Sequence, residues 1–179
     1  MLDMKALETL TIEAGFTHMG PLTRDTIELR EEVRKMCRTG NCGAYGKKWT
    51  CPPACGDLEA CRAKLERFQR GILVQTVGML EDSFDYEAMM ETEAEHKTHF
   101  AALEKRLREQ YPDMLALGAG GCTKCRSCTY PDAPCRFPGQ AFASMEAFGM
   151  LVLQVCKAND MQYYYGPNTI AYTSCFLLE

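Results

Sequence analysis

A chain of 179 residues, 46% hydrophobic and 25% charged, has the length and apolar content of a protein that folds around one core in water. Its net charge of −4 argues against wholesale nucleic-acid binding, and no apolar run approaches the roughly 18 residues of a membrane span. Eleven cysteines form an odd set that cannot all pair within the chain. Met1 to Leu10 has no basic start followed by an apolar stretch, so the expected compartment is a reducing cytoplasm, where cysteine-rich patterns hold metal more often than disulfides.

In chain order, Asp3 to Ala14 carries Met4, Leu7, Leu10 and Ala14 at helical spacing, with Gly15 as the stop. Phe16 to Leu22 is a short strand, and Thr26 to Cys37 is a helix with Leu29, Val33 and Met36 on one face. From Arg38 to Gly56 the breakers Thr39-Gly40-Asn41, Gly43, Gly46 and Pro52-Pro53 forbid any regular element. Asp57 caps a helix running to about Gln69. Ile72 to Leu80 is the clearest strand. A long helix spans Tyr86 to Gln110, with Met89, His96, Phe100, Leu103 and Leu107 as its buried stripe and Pro112 beyond its end. Asp113 to Leu117 is a strand, Ser144 to Ala158 a helix, and Thr169 to Leu178 the last strand, with Ile170, Tyr172, Ser174 and Phe176 on one side. The expected class is α+β: a small mixed sheet, β-α-β-α-β from Gly71 onward with parallel neighbours, an N-terminal helical segment and two cysteine-rich loops, all in a single domain over residues 1–179.

The loop over residues 118–138 carries the chemistry. Cys122, Cys125 and Cys128 stand at C-x2-C-x2-C spacing, and Cys135 follows. Such a run turns successive thiolates toward one centre, as in bacterial ferredoxins. An iron–sulfur cluster is the first reading, a zinc site the second and a metal-free thiol loop the third. The loop over residues 37–56 offers Cys37, Cys42, Cys51 and Cys55. Its spacing matches no standard signature, but it is rich in Gly and Pro, and every charge between Val33 and Gly56 is positive: Arg34, Lys35, Arg38, Lys47 and Lys48. Thiolates around a cluster are net negative, so these cations suit it. Cys61, Cys156 and Cys175 fall within regular elements and read as core. His96 reads as packed rather than ligating. Trp49 and Tyr163-Tyr164-Tyr165 are read first as packing residues and second as the lining of a surface or pocket.

The run from Cys37 through Cys42-Gly-Ala-Tyr-Gly-Lys-Lys-Trp49-Thr-Cys51-Pro-Pro, with Gly121-Cys122 to Pro138 and Ser144-Met-Glu-Ala-Phe-Gly149, resembles the DUF2284 family of predicted metal-binding proteins. The resemblance covers nearly the whole chain. It implies a cysteine-bound metal site in a small protein common in anaerobes, with Cys37, Cys42, Cys51, Cys55, Cys122, Cys125, Cys128 and Cys135 as ligands, and it implies no known reaction. Eight ligands suit two [4Fe–4S] clusters, and which cysteine serves which cluster is open.

The expected function is electron transfer to a partner enzyme; the acidic stretch Glu81 to Glu95 is read first as a solvated helix face and second as a docking face for a charged redox partner. Two alternatives stand beside it. One is a cluster-dependent enzyme acting on a small molecule or cofactor at an open cluster position. The other is a structural zinc module. No Ser/His/Asp or paired-carboxylate arrangement supports hydrolysis, and no catalytic residue is assigned.

Overall fold

The computed structural model describes residues 2–40 and 42–179. Met1 and Asn41, the latter within the first breaker run, lie outside the described residues. Helix α1 (Met4–Glu13) starts where the Asp3 side chain accepts from the Ala6 N–H at 3.0 Å. Strand β1 (His18–Thr23) follows, then a 3-10 turn at Arg24–Thr26 and α2 (Glu31–Thr39). Asp57 caps α3 (Leu58–Leu65), which leads into β2 (Arg70–Met79). Helix α4 (Tyr86–Gln110) begins at Asp85, whose side chain accepts from Ala88 N. It is followed by β3 (Leu115–Leu117), α5 (Val152–Ala158) and β4 (Thr169–Leu177).

The four strands lie in the order β1-β2-β4-β3, and every ladder is antiparallel. Ile72 faces Phe176 across the central ladder, and Leu117 faces Cys175 across the outer one. The class is α+β, with the expected β-α-β-α-β element order, but the sheet is antiparallel rather than mixed. Both β2 and β3 run antiparallel to β4, so they are parallel to each other without touching. The C-terminal strand fills the place between them.

Alternation along the central strands divides the core into two layers. Ile72, Val74 and Phe176 pack with Leu7 of α1 and with Phe100, Leu103 and Leu107 of α4. Leu73, Cys175 and Leu177 face the other way, onto Cys61 and Leu65 of α3 and Val155 and Cys156 of α5. Cys61, Cys156 and Cys175 are fully buried, as their helical and strand positions predicted.

Three expected helices are shorter than their periodicity implied: α3 ends at Leu65 rather than near Gln69, and the other two are cut for one shared reason. Leu29 pairs with Met150 in an antiparallel bridge, and Arg30 N donates to Gly149 O at 2.8 Å. Residues 27–30 are therefore extended and α2 begins only at Glu31. The Ser144–Ala158 segment is likewise split into a 3-10 turn at Glu146–Phe148 and α5. Gly149, at φ 90°, makes the break, because a Cβ there would lie 3.0 Å from Arg30 O.

Candidate metal centre

The second cysteine loop leaves the sheet at the end of β3 and returns to its own starting point. Gly118 N donates to Ala143 O at 2.8 Å, Met145 N donates to Gly118 O at 3.1 Å, and Gly118 bridges Ser144. Between these anchors the chain has neither helix nor strand. It is braced from within: Thr129 Oγ1 donates to Pro134 O, and Arg136 Nη1 donates to Ser127 O. Cys122, Cys125, Cys128 and Cys135 all line one tight cleft of about 20 Å³. Burial would raise the Cys128 thiol, but the backbone N–H groups of Tyr130, Trp49 and Thr129 hydrogen-bond its sulfur and bring it below the ordinary thiol range. Backbone N–H groups aimed at sulfur stabilise a thiolate and are one means of tuning a cluster.

The first loop is built around α2 and the turn at Glu146–Phe148. Cys37 sits in the last turns of α2, and its Sγ donates to Glu146 O at 3.9 Å. Cys42 is exposed, while Cys51 is buried, with its N–H on Lys48 O. Cys37, Cys42 and Cys51 line a larger cavity of about 830 Å³, with Glu146, Tyr163 and residues 170–173 of β4 on its other walls. Burial first, then the Glu146 carboxylate and the neighbouring thiols Cys42 and Cys51, pushes the Cys37 thiol up. Burial likewise raises Cys51. Cys55 does not line this cavity. Its Sγ donates to Ala147 O at 3.7 Å; the neighbouring Cys61, with burial, pushes the Cys55 thiol up, and Cys55 in turn draws Cys61 down to about 7. Arg34 is buried on α2, and its charge partly offsets the rise of the Cys37 and Cys55 thiols and adds to the lowering of Cys61.

Lys48 and Trp49 join the two loops. Lys48 lines both the large cavity and the tight cleft, and its Nζ donates to Cys122 O at 2.6 Å. Trp49 Nε1 donates to Ala133 O at 3.0 Å, and its ring stands edge-on to Tyr130. Gly121 is part of the same contact, since a Cβ there would lie 3.5 Å from Lys48 Nζ. The two cysteine groups are thus adjoining. Among the described residues, however, no group of three or more His, Cys, Asp or Glu side chains is arranged to hold a metal ion.

A family model described as a predicted metal-binding protein, DUF2284, matches residues 21–178. The chain belongs to the DUF2284 family. No curated protein and no solved structure matches it. In this DUF2284 protein the matched span takes in all eleven cysteines. The donor set fits a thiophilic metal: thiolate-rich sites select zinc and iron–sulfur clusters over hard cations, and cations from Arg34, Lys48 and Arg136 stand near the thiols. His96, by contrast, is packed into the sheet as expected, with hydrogen bonds to Thr76 and Ser174.

Sequence reasoning missed Glu146. It lies in the Ser144-Met-Glu-Ala-Phe segment, which was read as a helix and as part of the family resemblance, with no role given to the carboxylate. Burial raises its carboxyl, against hydrogen bonds from its own backbone N–H and from the Ser144 side chain. Its Oε2 is buried with no hydrogen-bond partner. A buried acceptor left unpaired costs about 1–3 kcal/mol. The available signal was an acid set between Met145 and Ala147, two residues that are buried in the fold.

Proposed function

We propose that this DUF2284 protein is an iron–sulfur electron carrier that holds two [4Fe–4S] clusters in one metal-binding domain over residues 1–179 and serves a partner enzyme in the cytoplasm of an anaerobe. The observation that carries the reading is the convergence of Cys122, Cys125, Cys128 and Cys135 on one cleft. Bound there, a cluster would supply one-electron chemistry. The chain's own residues would hold it and set its potential. Cys122, Cys125, Cys128 and Cys135 supply four thiolates to the second centre. Cys37, Cys42 and Cys51 face the first, and Cys55, the last cysteine of that run, stands beside Cys61. Lys48 lies between the two groups and offsets their negative charge. The acidic run from Glu81 to Glu95, with Met79, Phe84, Tyr86 and Met90 exposed on and near it, suits a basic redox partner.

The cavity of about 830 Å³ beside Cys37, Cys42 and Cys51 favours a second reading. Its volume falls in the range of small-molecule sites, about 300–1,000 Å³, so the first centre could act on a bound substrate.

Anaerobic purification with iron, sulfide and zinc analysis and a visible spectrum tests the proposal. About eight iron and eight sulfide per chain, with absorbance near 400 nm that bleaches on reduction, is the expected result for two cubanes. Stoichiometric zinc without colour would replace the carrier with a structural zinc module.

A further inference from the structure

We propose that Glu146, rather than Cys55, is the fourth protein ligand of the metal held by Cys37, Cys42 and Cys51. This rests on the reading of the first cysteine group as a metal site and specifies its ligands.

Three observations carry it. Cys37, Cys42, Cys51 and Glu146 line the same cavity, and Cys55 does not. The Glu146 Oε2 is the one buried side-chain polar atom without a hydrogen-bond partner among the described residues. Such orphans are rare in folded proteins, and an absent ion is one of their ordinary causes. The Cys55 thiol is engaged elsewhere: its Sγ donates to Ala147 O at 3.7 Å. The Cys37 sulfur, 3.9 Å from the Glu146 carbonyl, ties the thiolate side of the cavity to the carboxylate side.

The chemistry of the set is coherent. A carboxylate is an accepted partner of thiolates on zinc and iron. Beside three thiolates it is a harder and more exchangeable donor than a fourth sulfur. The first centre would then differ from the second in kind, with three thiolates and a carboxylate against four thiolates. Its replaceable ligand would face the cavity where a substrate could enter.

The test uses the full chain, loaded with metal anaerobically, as wild type and as Glu146→Gln, Cys55→Ser and Glu146→Cys. Metal and sulfide per chain are measured, together with the EPR spectrum of the reduced protein. Far-UV circular dichroism confirms the fold. The expected result is that Glu146→Gln loses the first centre, about half of the bound metal, together with its EPR signal. Cys55→Ser should keep both, and Glu146→Cys should regain the metal with an altered spectrum. Loss of the centre in Cys55→Ser, or its retention unchanged in Glu146→Gln, overturns the assignment. Should Glu146→Gln fail to fold, Glu146→Cys decides alone: unchanged metal content with a wild-type spectrum, or no metal at the first site, overturns it. Wild type that carries metal only at Cys122, Cys125, Cys128 and Cys135 overturns the metal reading of the first group itself, an outcome distinct from a wrong fourth ligand.

Discussion

The His96 imidazole spans the two central strands, with Nδ1 3.0 Å from Thr76 Oγ1 on β2 and Nε2 2.6 Å from Ser174 Oγ on β4. It is fully buried, and Phe16 stands edge-on to it. Burial, aided by the neighbouring His99 and Lys97, lowers its pKa from 6.5 to about 3. The folded state therefore binds fewer protons at this group than the unfolded state between those values. Its contribution to stability is whole above pH 6.5 and is lost as pH falls toward 3, with a slope of at most about 1.4 kcal/mol per pH unit. Replacement by glutamine, which can both donate and accept, should cost about 1–3 kcal/mol at pH 7 through imperfect pairing. It should also flatten the acid limb. Denaturant melts of wild type and His96→Gln from pH 7 down to 4 check this, and parallel acid limbs would show that His96 does not govern the loss. The packed role of this residue was legible in its place on the apolar stripe of α4. The role of Glu146 was not, because helical periodicity treats residues 144–158 as one element and hides the turn that aims its carboxyl inward.

Among the elements, α4 was read from the sequence with the bounds it has, Tyr86–Gln110, because its cap and its stop are local: Asp85 caps its first turn and Pro112 follows its end. The α2 and α5 segments were misread because their limits are set by a contact between residues far apart in sequence, Leu29 with Met150. The sheet was misread for the same kind of reason. A strand–helix–strand unit favours parallel neighbours, but β4 enters between β2 and β3, and no local pattern announces a strand that arrives from the far end of the chain. The seating of α4 on the sheet depends on Gly78 of β2, where a Cβ would collide with Thr92 Oγ1. Thr92 is itself fixed, its hydroxyl donating to Ala88 O at 2.8 Å. Gly78→Ala must push the helix outward or turn Thr92 from its rotamer, so it should destabilise by about 1–3 kcal/mol. Thr92→Ala in the same chain should recover much of this by clearing the space. Thermal melts of the two single variants and the double variant measure the coupling, and simple additivity would place the collision elsewhere.

At the scale of the molecule, the two layers that cover the sheet and the two loops that carry the cysteines are held by different forces. Each layer is a dense apolar cluster that includes residues of the central strands. The loop between Gly118 and Ser144 has no regular element, and its side chains are mostly exposed or half-buried. It is fastened by its two ends, by Trp49 and by Lys48. Without metal, Lys48, Lys124 and Arg136 crowd the cleft, so repulsion among these cations goes unanswered. Chelation should therefore loosen the loops and leave the sheet. In amide-exchange measurements, β2 and β4 should keep their protection, while residues 42–56 and 119–142 lose theirs. Protease should then cut within those two stretches and spare the rest. Re-addition of metal at low pH should restore protection poorly, because the ligands must shed their protons to bind and burial has raised Cys37 and Cys51. Raising the pH should recover it. Loss of protection across β2 and β4 on chelation would mean that the metal organises the sheet itself, and the apolar layers would then be a consequence of metal binding rather than its support.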